Sequence, residues 1–301
     1  MTAAAAFLAV LPAAQAQQSS AQEPIGATAN TPSQAISSQA ISSQAISSQA
    51  ISSQAISSQA MSADTGTKTA FGTSVSGTLT SDYNYRGYTL SNHLPSAATD
   101  IEATYGTAFA DINAASVDMP QLSQFQMTDS AGIRPVFGPL TFEVGAEYYS
   151  YPGSDIDIDY VEFYAAPTYL VSPKLTLGLN VYYAPNYDRT GTWENYNSAT
   201  LKYTLDSSWS ASGEIGRQRF GTTRPTADSP AIKLPDYTYW NFGISYTYKI
   251  LTADLRYYDD TLSKQSCFLI TGTGSAVGGS NGCSTTIIGS LTWSLNVSDL
   301  K

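Results

Sequence analysis

The sequence predicts an all-β fold: a closed antiparallel transmembrane barrel of about twelve strands behind a disordered N-terminal leader. Three observations carry this. From Phe71 onward the side chains alternate with a period of two. Val75, Leu79, Tyr83 and Tyr85 share one face, and Ser74, Ser76, Thr78, Thr80, Asp82 and Asn84 share the other, as in a strand that is wet on one side only. The breaks between such stretches are alternately short and long, as where tight turns lie on one side of a membrane and loops on the other. Aromatic residues make up 12% of the chain, with 21 Tyr against 14 Lys and Arg together, an excess that suits amphipathic rings at a lipid–water boundary.

Residues 1–16 read as a signal segment: an apolar stretch from Ala3 to Leu11 precedes the small-residue site Ala14-Gln15-Ala16. Residues 17–70 form a low-complexity leader with five copies of the pentad Ala-Ile-Ser-Ser-Gln between Ala35 and Gln59. A five-residue period matches neither helix nor strand, so its isoleucines line no continuous face, and a flexible periplasmic segment is expected. Residues 71–301 are left for the barrel. No run of about 18 apolar residues exists to span a bilayer as a helix.

Strands are expected near 71–86, 97–106, 107–118, 124–137, 140–151, 157–170, 173–184, 193–205, 209–219, 236–248, 251–260 and 284–297. Short breaks at Gly106-Thr107, Gly138-Pro139, Ser172-Pro173, Asp206 to Ser208 and Lys249-Ile250 consist of turn-forming residues. Longer ones fall near 87–96, 119–123, 152–156, 185–192, 220–235 and 261–283, which places both termini in the periplasm.

With that topology, Tyr83, Tyr85, Tyr88, Tyr148, Tyr149, Tyr151, Tyr182, Tyr183, Tyr187, Tyr237, Tyr239, Trp240, Tyr257 and Tyr258 form an outer aromatic girdle. Phe71, Tyr105, Phe109, Phe137, Phe142, Tyr169, Tyr203, Trp209, Tyr246, Tyr248 and Trp293 form an inner one. Two strands break the pattern. Phe109 and Asp111 share parity, and Asp129 falls among Phe125, Met127 and Ile133, so a bulge or a strand end beyond the lipid is expected in each.

The segment Ser81-Asp82-Tyr83-Asn84-Tyr85-Arg86-Gly87-Tyr88-Thr89-Leu90-Ser91 resembles the first-strand signature of a proteobacterial porin family labelled TorF-like. Further echoes follow in order at Glu147 to Gly153, Tyr160 to Tyr164, Leu177 to Tyr187 and Leu255 to Asp259. The similarity covers roughly 71 to 297. It implies an outer-membrane barrel with a pore role. The chain departs from the terminal aromatic residue that such barrels tend to carry, since Trp293 is followed by Ser294 to Lys301.

Candidate pore-lining residues follow from inward parity: Asp82, Arg86, Glu102, Glu143, Glu147, Glu162, Lys174, Lys202, Glu214, Asp254 and Arg256, together with Asp100. Charge facing lipid at the midplane costs about 2–4 kcal/mol for Arg or Lys, so a water-filled or internally paired lumen is the tolerable location for it. Excess carboxylate favours cations. Twelve strands close at a backbone radius of roughly 13 Å, between filled and open barrels. Small inward residues such as Ser76, Thr78, Gly145, Gly178, Ser212 and Gly216 argue for a narrow opening for small solutes. The competing expectation is that facing charges pair and plug the interior, leaving a structural barrel, or one whose long loops 185–192, 220–235 and 261–283 bind phage, host or sugar.

Cys267 and Cys283, the only cysteines, read as one disulfide in an exported chain. Asp155, Asp157 and Asp159 are weak candidates for a hard cation, but Tyr160 and Ala166 stand where a calcium loop would want Gly and Glu. A lipase or deacylase reading rests on His93 alone, beside Asn92 and Ser91, and nucleophilic catalysis needs a base held against a nucleophile. No cofactor motif is present. The net charge of −10 argues against nucleic acid. Membrane lipid, lipopolysaccharide, the barrel-assembly machinery and small solutes are the expected partners.

Overall fold

The computed structural model describes residues 71–119, 122–226, 230–275 and 277–297; the expected signal segment 1–16 and leader 17–70 lie outside them. In chain order the strands are β1 (Phe71–Thr80), β2 (Asn84–Tyr85), β3 (Tyr88–Thr89), β4 (Ser96–Tyr105), β5 (Ala108–Met119), β6 (Ser123–Ile133), β7 (Val136–Phe137), β8 (Leu140–Ser150), β9 (Tyr160–Ser172), β10 (Leu175–Tyr187), β11 (Thr192–Thr204), β12 (Trp209–Phe220), β13 (Tyr237–Tyr248), β14 (Leu251–Asp260) and β15 (Thr286–Asn296). A short helix, α1 (Lys264–Thr271), precedes β15, in a stretch expected to be loop.

Each wall strand pairs antiparallel with its neighbours along the chain, and β1 pairs with β15 to shut the ring. β6 and β7 are one wall strand: Ile133 faces Val144 and Val136 faces Thr141 in the same register of β8. The interruption falls at Arg134 and Pro135, where proline has no N–H to give. The wall therefore has twelve strands. β2 and β3 pair only with each other, apart from the wall.

Tight turns at Gly106-Thr107, Gly138-Pro139, Pro173-Lys174, 205–208 and Lys249-Ile250 gather at one end, called here the turn end. Gly106 and Gly138 adopt φ of 61° and 59°, which glycine does at no steric cost. In the 205–208 turn, Asp206 Oδ1 accepts from the Ser208 and Trp209 backbone N–H groups at 2.7 and 2.8 Å. These bonds hold its carboxyl below the ordinary range. The longer connections, including 81–95, 221–226 with 230–236, and 261–275 with 277–285, occupy the opposite, loop end.

The solvation pattern is inverted. Outward Leu79, Ile101, Phe125, Leu179, Ile215, Phe242 and Leu255 keep between 48% and 63% of their surface exposed, while inward Glu162 and Glu194 keep none. Apolar outside and polar inside is stable in lipid and not in water. Among the described residues no helix is long and apolar enough to cross a membrane; the strands make the crossing.

At the turn end, Phe71, Tyr105, Phe137, Phe142, Tyr169, Tyr203, Trp209, Tyr246, Tyr248 and Trp293 are outward and exposed, and Phe109 points inward instead. Trp293 lies over Gly77, its partner across the closing seam, where a Cβ would stand 2.5 Å from the indole Nε1. The ring covers the gap a strand glycine leaves.

The loop end departs from expectation. Tyr148, Tyr183, Trp240 and Tyr257 are outward, but Tyr149, Tyr151, Tyr182, Tyr187, Tyr237 and Tyr239 are buried inside the barrel, and Tyr258 shares their inward parity. A period of two sends only one of each adjacent tyrosine pair to the lipid. β1 also ends at Thr80, short of Arg86, so Tyr83, Tyr85 and Tyr88 are not girdle residues either.

Neither irregular strand needs a bulge at the suspect residue. Phe109 and Asp111 both point inward, and the Phe109 ring carries the Arg134 guanidinium 4.6 Å from its centroid. Asp129 is outward and pairs with Tyr148, whose hydroxyl bonds Asp159 in the loop beyond. Asp129 is thus an outward charge six residues along β6 from its loop-end start, with Phe125 and Met127 nearer that end.

Candidate functional site

Residues 81–94 leave the wall, and 82–91 turn back into the lumen. Asp82, Tyr83, Asn84, Tyr85, Arg86, Tyr88, Leu90 and Ser91 are all buried. The local sequence explains the turn. Arg86 and Gly87 take φ of 40° and 109°, the positive pair that a two-residue hairpin with the native twist demands. The Asn84 Oδ1 accepts from the Gly87 N–H at 3.1 Å. Asp82 ties the base of the hairpin, accepting from Thr89 Oγ1 at 2.5 Å and Ser91 Oγ at 3.0 Å and meeting His93 Nδ1 at 2.8 Å.

The hairpin tip delivers Arg86 to the barrel axis. Its guanidinium bonds Glu162 of β9 through both oxygens, at 3.2 and 3.0 Å, and Glu194 of β11 at 2.6 Å, with all three side chains fully buried. The Gln218 amide of β12 donates to Glu194 as well. Tyr196, Tyr85 and Tyr182 present their faces to the guanidinium, with centroids 4.2, 4.8 and 5.0 Å away. One cation thus meets groups from four wall strands, β9 to β12, satisfying charge, hydrogen bonding and ring quadrupole together.

The surrounding rings form two tiers. Tyr164, Tyr182, Tyr196 and Tyr239 follow one another with centroids 5.1 to 6.1 Å apart. Tyr149, Tyr160, Tyr187 and Phe220 do so at 4.7 to 5.4 Å. Glycines make room for them. A Cβ at Gly145 would stand 2.9 Å from the Tyr164 ring, and one at Gly216 would stand 2.5 Å from the Tyr196 hydroxyl. Gly145 and Gly216 therefore host rings rather than widen the lumen. Gly216→Ala is expected to push Tyr196 off its 2.6 Å bond to Glu214 and to destabilise the barrel by about 1–3 kcal/mol. The urea midpoint of protein refolded in vesicles measures this, and an unchanged midpoint would refute the packing role.

Toward the turn end the wall residues are smaller and more open. Arg134, which parity with Thr128, Ser130 and Gly132 could have assigned to the lumen, pairs with Glu102 at 2.8 Å and Glu143 at 2.6 Å. Arg256 pairs with Asp254 at 3.1 Å and bonds Asn241 and Ser212. Glu147 accepts from Tyr149 at 2.5 Å, Glu214 accepts from Tyr196, and Lys202 faces inward from β11. Asp82 and Arg86 belong to the plug, not the wall. Lys174 lines nothing: it sits exposed in the β9–β10 turn, with Nζ donating to the Leu205 carbonyl at 3.2 Å.

Above the plug lies the loop that carries α1. Ser263 caps the helix by accepting from the Ser266 N–H, and Gly272 ends it at φ 63°. Cys267 and Cys283 are bonded, with Cα atoms 5.8 Å apart. This loop touches the plug directly. The Thr89 N–H donates to the Gly282 carbonyl at 2.8 Å, and His93 Nε2 meets the Asn281 carbonyl at 3.2 Å. A hydrolytic triad would put a serine hydroxyl on that nitrogen, whereas Ser91 bonds Asp82 instead. The acidic run is also committed elsewhere: Asp157 pairs with Arg189 at 2.8 Å, and Asp159 accepts from Tyr148 and the Tyr151 N–H. Among the described residues no three metal-ligating side chains gather.

Solved structures of similar fold include the KdgM porin, at 10% identity over 74% of this chain and 99% of that one with a TM-score of 0.47. The NanC porin matches at 12% identity over 74% and 97%, with a TM-score of 0.43. A Rhodopseudomonas blastica porin matches at 10% over 66% and 55%, with a TM-score of 0.34. No curated protein matches the chain. Residues 64–287 match the family Gcw_chp, described as a bacterial protein of unknown function. That match takes in the plug and nearly all of the wall, and the chain belongs to the Gcw_chp family.

Proposed function

We propose that this protein is a porin-like outer-membrane channel that its own residues 81–94 hold shut, so that small solutes pass only when this plug moves. The observation that carries the reading is Arg86, fully buried between Glu162 and Glu194 across the lumen. An inverted barrel supplies the membrane setting, and the likeness of Ser81 to Ser91 to the TorF-like porins supports a pore role. In this reading the turns and both termini face the periplasm, lipid and lipopolysaccharide surround the wall, and the assembly machinery inserts it. No catalytic step is assigned to it.

Beyond the plug the inward charges on the wall include Asp100, Glu102, Asp111, Glu143, Glu147, Glu214 and Asp254 against Arg134, Lys202 and Arg256. That acidic excess would lean the open channel toward cations. Planar-bilayer recording tests this. The refolded full chain is expected to be mostly silent, and a variant with residues 84–89 replaced by a Gly-Ser link is expected to give discrete current steps with a cation-selective reversal potential. Silence of both would favour a non-conducting structural barrel, a reading the buried Arg86 cluster also fits. Anion preference in the shortened variant would overturn the charge argument.

A further inference from the structure

The outward face of β12 reads Trp209, Ala211, Gly213, Ile215, Arg217, Arg219. Two arginines at successive outward positions stand out on a mostly apolar outward face, whose charges at Asp129 and Asp259 are acidic. Arg217 and Arg219 are exposed. Arg217 donates to Thr238 Oγ1 at 3.0 Å, and Arg219 has no side-chain partner among the described residues.

Their height explains why they are tolerated. Counting from Trp209 in the turn-end belt, they lie eight and ten residues up β12. At about 3.3 Å per residue and a tilt of about 45°, that is roughly 19 and 23 Å, against an apolar band about 25 Å tall. The guanidinium groups therefore reach the far border of the hydrocarbon, where headgroups begin.

Two more features converge there. Trp193 of β11 is outward, 42% exposed, and lies over Gly221, where a Cβ would stand 2.8 Å from its indole nitrogen. The Lys233 ammonium hangs 6.0 Å from the Trp193 ring centroid. Lys233 is shared with Asp236 at 3.0 Å, and outward Asp259 is occupied by Tyr257 and Thr285. Cationic charge thus remains in surplus at this border on a chain of net charge −10. Two arginine forks beside an amphipathic ring suit a phosphate whose acyl chains lie down the adjoining apolar wall.

We propose that Arg217, Arg219 and Lys233, with Trp193, bind the phosphorylated headgroup of an outer-leaflet glycolipid of lipid A chemistry. This rests on the outer-membrane placement above but not on the channel being able to conduct. Native mass spectrometry of the refolded full chain in detergent, titrated with diphosphoryl lipid A, is the test. The wild type is expected to bind at least tenfold more tightly than Arg217→Gln with Arg219→Gln, and Lys233→Gln is expected to fall between. Lys174→Gln, at the opposite end, should match the wild type. Chemically dephosphorylated lipid A should lose the difference. Equal binding by wild type and double variant would overturn the proposal, as would equal retention of the dephosphorylated lipid. So would displacement of lipid A by millimolar inorganic phosphate, which would make this a free-anion site. Bilayer recordings made in neutral lipid report on the channel alone, so either reading can fail without the other.

Discussion

Replacing Arg86 by alanine will release the plug while the wall stays closed. The substitution leaves Glu162 and Glu194 without their cation at positions that have no access to solvent. Removing one partner of a buried pair costs about 3–5 kcal/mol, because the stranded charge keeps its desolvation penalty and loses its compensation. The wall strands keep their own ladder bonds, so the loss falls on residues 81–94. Hydrogen exchange should show amides of that segment, including Leu90 bonded to Tyr83, exchanging about a hundredfold faster or more, while the β10–β11 ladder stays protected. Arg86→Met combined with Glu162→Gln and Glu194→Gln should recover much of the protection, since neutral packing often replaces a buried ion cluster at little cost. Unchanged exchange in Arg86→Ala would mean that the tyrosine tiers hold the hairpin unaided.

Cutting the Cys267–Cys283 bond is the second large perturbation. It closes a loop of separation 16, and in the chain-entropy model such a constraint stabilises by about 3 kcal/mol. The helix that leads into the loop, Lys264–Thr271, has eight residues, too few to stand alone in water. Cys267→Ser with Cys283→Ser should therefore raise the rate of proteolytic cleavage within 272–282 by roughly two orders of magnitude, with the wall intact. Because Gly282 accepts from the Thr89 N–H, exchange at Thr89 should quicken in the same variant. A reductant added to the wild type should reproduce both effects. Cleavage unaffected by reduction would show that packing, not the bond, holds the loop.

The strand order, the turns and the twelve-membered ring were legible because each rests on a local rule: period two, turn-forming residues, and loops alternating in length. The turn-end belt was legible for the same reason, Phe109 excepted. Which tyrosines face lipid was not, because the same ring serves a headgroup border and a lumen lined with glycine. Tyr148 and Tyr149 are adjacent and alike in sequence, and the parity that turns Glu143 and Glu147 inward turns Tyr149 inward with them. The hairpin was hidden because Ser81 to Arg86 continues the alternation of β1. Its one local signal is Arg86-Gly87 between two tyrosines, which demands positive φ. Arg134 was missed for the opposite reason: the doubtful parity of Asp129 masked that of its whole strand. The pairing of Arg86 with β9 and β11 joins positions 76 and 108 residues apart, and no local pattern encodes such a meeting.

Eleven of the wall's twelve joints link strands that follow one another along the chain, and each can zip from its own bend. The twelfth cannot: Thr78 and Thr292 share a hydroxyl bond across 214 residues. Synthesis must run past β15 before that joint can form, and until then two raw β-edges stay open to any foreign strand. A polypeptide arrested short of β15 is accordingly not a smaller pore but a nucleus for aggregation.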